Sequence, residues 1–407
     1  MIKRPSCKLL LLVFTFAFAL ICAIATQTSY AQTYTVIHTF NGSDGIEPTS
    51  TLVQDRRGDF YGTTEGGGPY GGVLFQLKRV GTDWMVVPLH DFGPISYGIQ
   101  PLNYGGLTFG PDGSLYGSTY YGGLLDCGQS YCGVVFRLQP PAAACKSALC
   151  PWDYTVMVQL TNLEYPYGKV VFDAAGNLYG TTEFGGIYKV SPTNGGWTLN
   201  QISFEAGDTI GGMVMDAAGN LYGTWGDGYQ TNGGVFELSP SPSGWTQTVL
   251  YTFTGGSDGA IPVGGLVFDN AGHLYGSTST GGVEGGGTIF ELSPSGSGWT
   301  FHLLWSLPGS GYSGPQSALT MDSQGNLYGT TNKGGHHGGG SVFKCAHIGT
   351  NWVCDDLYDF EQGGGNGVFP IGGVTVDSQG NLYGTTAAGG NGNACYGGCG
   401  VVWEITP

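Results

Sequence analysis

One short motif of the "LYG(T/S)T" type recurs seven times, placing its tyrosine at Tyr61, Tyr116, Tyr179, Tyr222, Tyr275, Tyr328 and Tyr383. The intervals are 55, 63, 43, 53, 53 and 55 residues. A period near 50 marks radial β-repeat architectures, in which each unit is one supersecondary element that buries its faces only against its neighbours. Within the cleanest unit, "GGLVFD" (Gly264–Asp269), "HLYGSTS" (His273–Ser279), "TIFELSP" (Thr288–Pro294) and "WTFHLLWSL" (Trp299–Leu307) read as four strands. They are rich in β-branched and aromatic residues and are separated by Gly, Ser, Asn and Pro. No window sustains a helical period, so the expected fold is all-β, a seven-bladed β-propeller.

The chain ends refine this expectation. "YTVIHTF" (Tyr34–Phe40) matches the fourth strand of a repeat, and "GVVWEITP" (Gly400–Pro407) matches the third. The N-terminal strand therefore closes the last blade, which removes an open sheet edge. Residues 1–31 are read separately as a secretory signal peptide: Lys3, Arg4 and Lys8 precede the uncharged run Leu9–Ile24, and Ser29-Tyr30-Ala31 is a small-x-small cleavage site. Ile21 before Cys22 argues against lipid attachment. Residues 32–407 form the propeller, with no later stretch of membrane-span length.

Without that leader, ten basic residues face 29 acidic ones. Nucleic acid and anionic membranes, which select basic patches, are unfavoured partners, and no membrane insertion is expected after signal removal. The 77 glycines are compatible with a packed core, because 41% of residues are hydrophobic and 13% aromatic. Eight cysteines remain in local pairs, Cys127/Cys132, Cys145/Cys150, Cys345/Cys354 and Cys395/Cys399. In an exported chain these read as disulfides closing short loops, and their spacings differ from zinc sites.

The "DxxGN" elements Asp173–Asn177, Asp216–Asn220, Asp322–Asn326 and Asp377–Asn381, with variants Asp55–Asp59 and Asp269–His273, lack the alternate acids and distal glutamate of an EF-hand. They read as turns between first and second strands. Asp44 and Asp258, in loops between blades, could hold calcium together with loop carbonyls, or cap their own turns; no other cofactor is indicated.

The combination "GNLYGTT…GG…GGVVFELSP…GW" resembles the GloVer tandem-repeat family of exported bacterial proteins over the whole chain after the leader. The resemblance implies secretion and, in many relatives, a C-terminal sorting anchor. This sequence departs there, stopping at Pro407 after an expected strand. The family supplies no catalytic residues to carry over. A weaker, kelch-like resemblance lies in "GGVFELSPSPSGW", without the arginine and histidine usual after the kelch tryptophan.

Residues repeated in nearly every blade are assigned to structure, so a site must be sought among unrepeated ones. The loops between second and third strands share a face with those linking fourth to first. There the unrepeated polar residues are Glu65, Tyr70, Tyr120, Tyr121, Asp126, Glu183, Asp227, Tyr229, Glu284, His336 and His337. They are expected to ring the channel mouth as a surface for a sugar or a cation. The compressed third repeat should leave a notch bordered by Tyr120, Tyr121 and Glu183. Adjacent His336 and His337 are too few to ligate a metal alone. No "GxSxG", "HExxH" or phosphate-binding loop occurs. Three functions fit: an exported module binding carbohydrate or protein, a lyase or glycosidase with carboxylates and tyrosines at the mouth, and a cell-surface scaffold.

Overall fold

The computed structural model describes residues 32–69, 71–93, 106–123, 133–141, 151–161, 165–202, 211–226, 231–296, 298–309, 313–390 and 395–407. Among these, the strands form seven antiparallel four-stranded sheets, each running from an inner first strand to an outer fourth. The fifth blade is representative, with Val267–Phe268, Leu274–Thr278, Gly285–Ser295 and Gly298–Pro308 in that order. In the seventh, Thr375–Val376, Leu382–Thr386 and Val401–Thr406 are completed by Thr33–Thr39 from the other end of the chain. The ring closes through this strand, as the sequence of both ends implies. Tyr34 then stacks on Tyr358 of the sixth blade at 3.8 Å, and Phe40 is fully buried.

Outside the third blade, first strands are shorter than the sequence pattern indicates. In the fifth blade only Val267–Phe268 pairs, and the preceding glycines lie against neighbouring backbone instead. A Cβ on Gly264 would come within 2.4 Å of the Ser317 carbonyl in the next blade. Such glycines let inner strands of neighbouring blades converge.

The motif's glycine and tyrosine explain the blade itself. Gly276 pairs with Phe290 across the second and third strands, and a Cβ there would lie 2.6 Å from Phe290 Cζ. The same glycine-under-aromatic pairing joins Gly62 to Phe75, Gly117 to Phe136, Gly180 to Tyr188, Gly223 to Phe236, Gly329 to Phe343 and Gly384 to Trp403. The motif tyrosine faces the next blade and meets the tryptophan near the start of its fourth strand. Centroid distances are 5.7 Å for Tyr61–Trp152, 5.8 Å for Tyr179–Trp245 and 5.7 Å for Tyr275–Trp352. Such offset and edge contacts between large rings add specific attraction to apolar burial. Blade-to-blade adhesion is therefore built from the repeat.

Two cysteine pairs form the expected local disulfides. Cys345 and Cys354 face each other across the third and fourth strands of the sixth blade, and Cys395 bonds Cys399 in a loop of the seventh. Cys127, Cys132, Cys145 and Cys150 lie outside the described residues, as do residues 1–31. Among the described residues, no helix is long and apolar enough to cross a membrane.

Candidate functional site

The two faces of the ring have different chemistry. On one, Asp173 Oδ1 accepts the backbone N–H groups of Ala175 and Asn177 at 3.0 and 2.8 Å, while Oδ2 accepts from Asn177 Nδ2 and the Tyr179 hydroxyl. Burial alone would raise this carboxyl, but the hydrogen bonds from Asn177, Tyr179 and Ala175 hold it below the ordinary aspartate range. The motif tyrosine makes the same bond to Asp55, Asp216, Asp269, Asp322 and Asp377 in other blades. In the second blade the acid is Asp112, four residues before Tyr116 instead of six, and it also pairs with Arg137 at 2.6 Å. These acids shape turns and orient tyrosines.

On the opposite face, one position per blade follows the second strand, four residues after the motif tyrosine. It is Glu65, Tyr120, Glu183, Gly226, Ser279, Asn332 and Ala387 around the ring. Its backbone N–H reaches back to the loop that enters the blade: Glu65 to the Glu47 carbonyl, Glu183 to that of Tyr165, Ser279 to Ile261, and Ala387 to Phe369, at 2.9–3.0 Å. Each accepting residue precedes a proline, and Glu47, Ile261 and Phe369 have φ of 55°, 58° and 59°, rare for non-glycine residues. The scaffold is repeated, but its side chains are not. Glutamate and tyrosine occupy the first three blades, and small or amide residues occupy the fifth to seventh.

Between the second and third blades these side chains meet. Tyr120 stacks on Tyr165 with centroids 4.6 Å apart and planes inclined by 10°. Tyr121 packs edge-on against Tyr120 at 4.6 Å and against Tyr165 at 5.5 Å. Phe184, 61% exposed, extends the cluster past Tyr165 at 5.8 Å. The Tyr120 hydroxyl donates to the Glu183 carboxylate. Burial first, then the hydrogen bond and charge of Glu183, push this phenol well above its ordinary pKa, so it remains a donor. The four-residue turn Glu183–Gly186, closed by Thr182 N–H to the Gly186 carbonyl at 2.8 Å, is the compressed loop of the third repeat. The structure thus brings Tyr120, Tyr121 and Glu183 together, and adds Tyr165 and Phe184.

Glu65 sits at the equivalent place in the first blade. Burial pushes its carboxyl up to about 7, with Glu47 adding to the rise and Thr49 opposing it. Two other expected members of the ring, Glu284 and His336, are held toward the outer strands. The Glu284 backbone N–H bonds Ser306 Oγ, and that of His336 bonds Asp359 Oδ1, both beside outer fourth strands. The second-to-third hairpins of the fifth and sixth blades reach across to their fourth strands. Tyr70, Asp126, Asp227 and Tyr229 lie outside the described residues.

Asp44 accepts from Asn41 N–H at 2.9 Å and contacts His38 Nε2 at 3.0 Å. Asp258 accepts from Thr254 N–H and the Tyr251 hydroxyl at 2.8 and 3.0 Å. Both carboxylates are engaged within their own loops. Among the described residues, no group of three or more His, Cys, Asp or Glu is placed to hold a metal ion. Tyr165 was discoverable from sequence, since it precedes Pro166 as Glu47 precedes Pro48 and Phe369 precedes Pro370.

Comparison with known proteins gives the family. The Gloeobacter/Verrucomicrobia repeat matches residues 22–224 and again 209–407, and the chain belongs to that family. No curated protein matches it in sequence. Among solved structures, the extracellular domain of a one-component system from B. thetaiotaomicron is similar at 10% identity and a TM-score of 0.56, over 91% of this chain and 40% of that one. A Thermus thermophilus protein named as an oxidoreductase (glucose dehydrogenase) has 15% identity and a TM-score of 0.47, over 92% of this chain and 100% of that one. At these identities the likeness concerns fold alone.

Proposed function

We propose that this Gloeobacter/Verrucomicrobia repeat propeller is an exported binding module that takes a carbohydrate on its loop-bearing face, at the junction of the second and third blades. The observation that carries the reading is the cluster of Tyr120, Tyr121, Tyr165 and Phe184 around the Glu183 carboxylate. Partly exposed aromatic faces suit the flat apolar side of a pyranose, and a carboxylate held by a tyrosine hydroxyl suits sugar hydroxyl groups. Export is supported by the charged-then-apolar leader, by the two disulfides, and by the likeness to an extracellular domain.

A glycan array followed by titration tests this. Tyr121→Ala or Glu183→Ala should weaken the best glycan at least tenfold, while Asp173→Ala and Asp216→Ala on the opposite face should leave it within about twofold. Equal losses on both faces would refute the assignment. A second reading, polysaccharide cleavage, has one observation in its favour: Glu65, pushed to about 7, has the protonation behaviour of a general acid. Product release from the array's best polysaccharide, abolished by Glu65→Gln with binding intact, would establish that reading in place of the first.

A further inference from the structure

At one equivalent position per blade, the central channel carries a single long side chain among small ones. Ten residues before the motif tyrosine, each blade contributes one residue at or just before its first strand: Thr51, Gly106, Gly212, Gly265, Ala318 and Gly373 in six blades, and Lys169 in the third. Successive members touch. The Cβ position of Gly212 is 3.2 Å from Lys169 N, that of Gly265 is 3.0 Å from the Gly212 carbonyl, and Gly373 N–H donates to Thr51 Oγ1 at 2.8 Å. Thr51, Gly212, Gly265 and Ala318 line a cavity of about 230 Å³ together with Lys169.

The lysine is reached by water along the bore yet surrounded by blades, and this desolvation lowers its pKa below the ordinary lysine value. Among the described residues, its ammonium has no carboxylate within ion-pair distance, although acids outnumber bases 29 to 13 in the chain. A second residue borders the same space, with its hydroxyl turned away from water. Ser317, 3% exposed, lines the cavity from the sixth blade, and its Oγ has no hydrogen-bond partner. A buried hydroxyl without a partner is costly unless something completes it, and an ammonium that water reaches but no carboxylate neutralises is free to take an anion.

We propose that the channel is a second binding site, for a small carboxylate-bearing molecule whose carboxylate pairs with Lys169 Nζ while the Ser317 hydroxyl rotates into the cavity and hydrogen-bonds the same molecule. A monoanion matches one ammonium. A phosphate dianion would leave one of its two charges without a partner beside that lone ammonium. The cavity volume admits an acid of the size of a single sugar acid, and glycine walls let it approach backbone closely.

Calorimetric titration of the purified protein with sodium glucuronate, sodium acetate, glucose and inorganic phosphate is the test. Glucuronate should bind saturably and acetate more weakly, and neither glucose nor phosphate should compete. Lys169→Met should weaken glucuronate at least thirtyfold, Ser317→Ala three- to tenfold, and Lys169→Arg less than Lys169→Met. Tyr121→Ala should leave glucuronate affinity unchanged, which separates this site from the loop-face reading. In parallel, lysines of the wild-type protein would be reductively 13C-methylated and followed by NMR, with the Lys169 signal alone expected to shift on adding glucuronate. This arm needs no folded Lys169→Met variant. Absence of saturable carboxylate binding, preferential binding of phosphate, or loss in Tyr121→Ala without loss in Lys169→Met would overturn the proposal, as would an unmoved Lys169 signal.

Discussion

Replacing Gly276 with alanine isolates the contact on which every blade is built. The glycine has an ordinary strand backbone, so an added methyl meets no φ penalty. Its Cβ would instead lie 2.6 Å from Phe290 Cζ and 2.9 Å from Leu266 Cδ2, two fully or nearly fully buried side chains. Carbon atoms prefer about 3.5–4.0 Å, so the ring must withdraw by roughly 1 Å in a close-packed core. Overpacking of this kind costs about 1–3 kcal/mol. Reduced freedom of the unfolded chain returns about 0.4–1 kcal/mol. The net expectation is a loss of roughly 1–2 kcal/mol, read as a lower urea midpoint at unchanged m-value. Gly195→Ala is the control. That glycine is exposed, lacks a positive φ and has nothing within 4 Å of its Cβ position, so it should be neutral or slightly stabilising. Phe290→Leu, which shortens the ring, should recover part of the Gly276→Ala loss in a double-mutant cycle. If Gly276→Ala is as stable as Gly195→Ala, or shows no coupling to position 290, glycine is not there to seat the aromatic ring.

Deleting residues 32–40 should cost more than the roughly 3–5 kcal/mol expected for truncating one buried Phe40, and should leave the Val401–Thr406 edge open to association; calorimetry and light scattering would show a stable monomer if ring closure were dispensable. Glu65 has a folded pKa of about 7 against an ordinary 4.5, so the native state holds the proton more tightly and stability contributed by this group falls as pH rises through that interval. Glu65→Gln should therefore flatten the decline and be more stable at pH 8 by on the order of 1–3 kcal/mol, and an unchanged pH profile of the unfolding midpoint would refute the burial argument.

Much of the fold is legible in one dimension because its causes are local and repeated. The interval between motif tyrosines counts blades, the strand-like ends at Tyr34–Phe40 and Gly400–Pro407 disclose the closure, and the Asp-Gly turns follow from hydrogen bonds spanning two to six residues. The short loop of the third repeat is equally visible, since loop length is a sequence property. What the tertiary structure alone decided is radial position and neighbourhood. Glu284, His336 and His337 belong to hairpins equivalent to those of Glu65 and Glu183, yet Glu284 and His336 are held beside outer strands because the hairpins of the fifth and sixth blades reach across to their fourth strands. Tyr120, Tyr165 and Glu183 come from two blades and meet only through the angle at which those sheets stand side by side. Lys169 reads in sequence as one odd residue in a row of glycines. Its isolation becomes apparent when seven strands separated by some 50 residues close around one axis, because a ring brings every first strand to the same place and leaves a lone charge there with no chain neighbour to neutralise it.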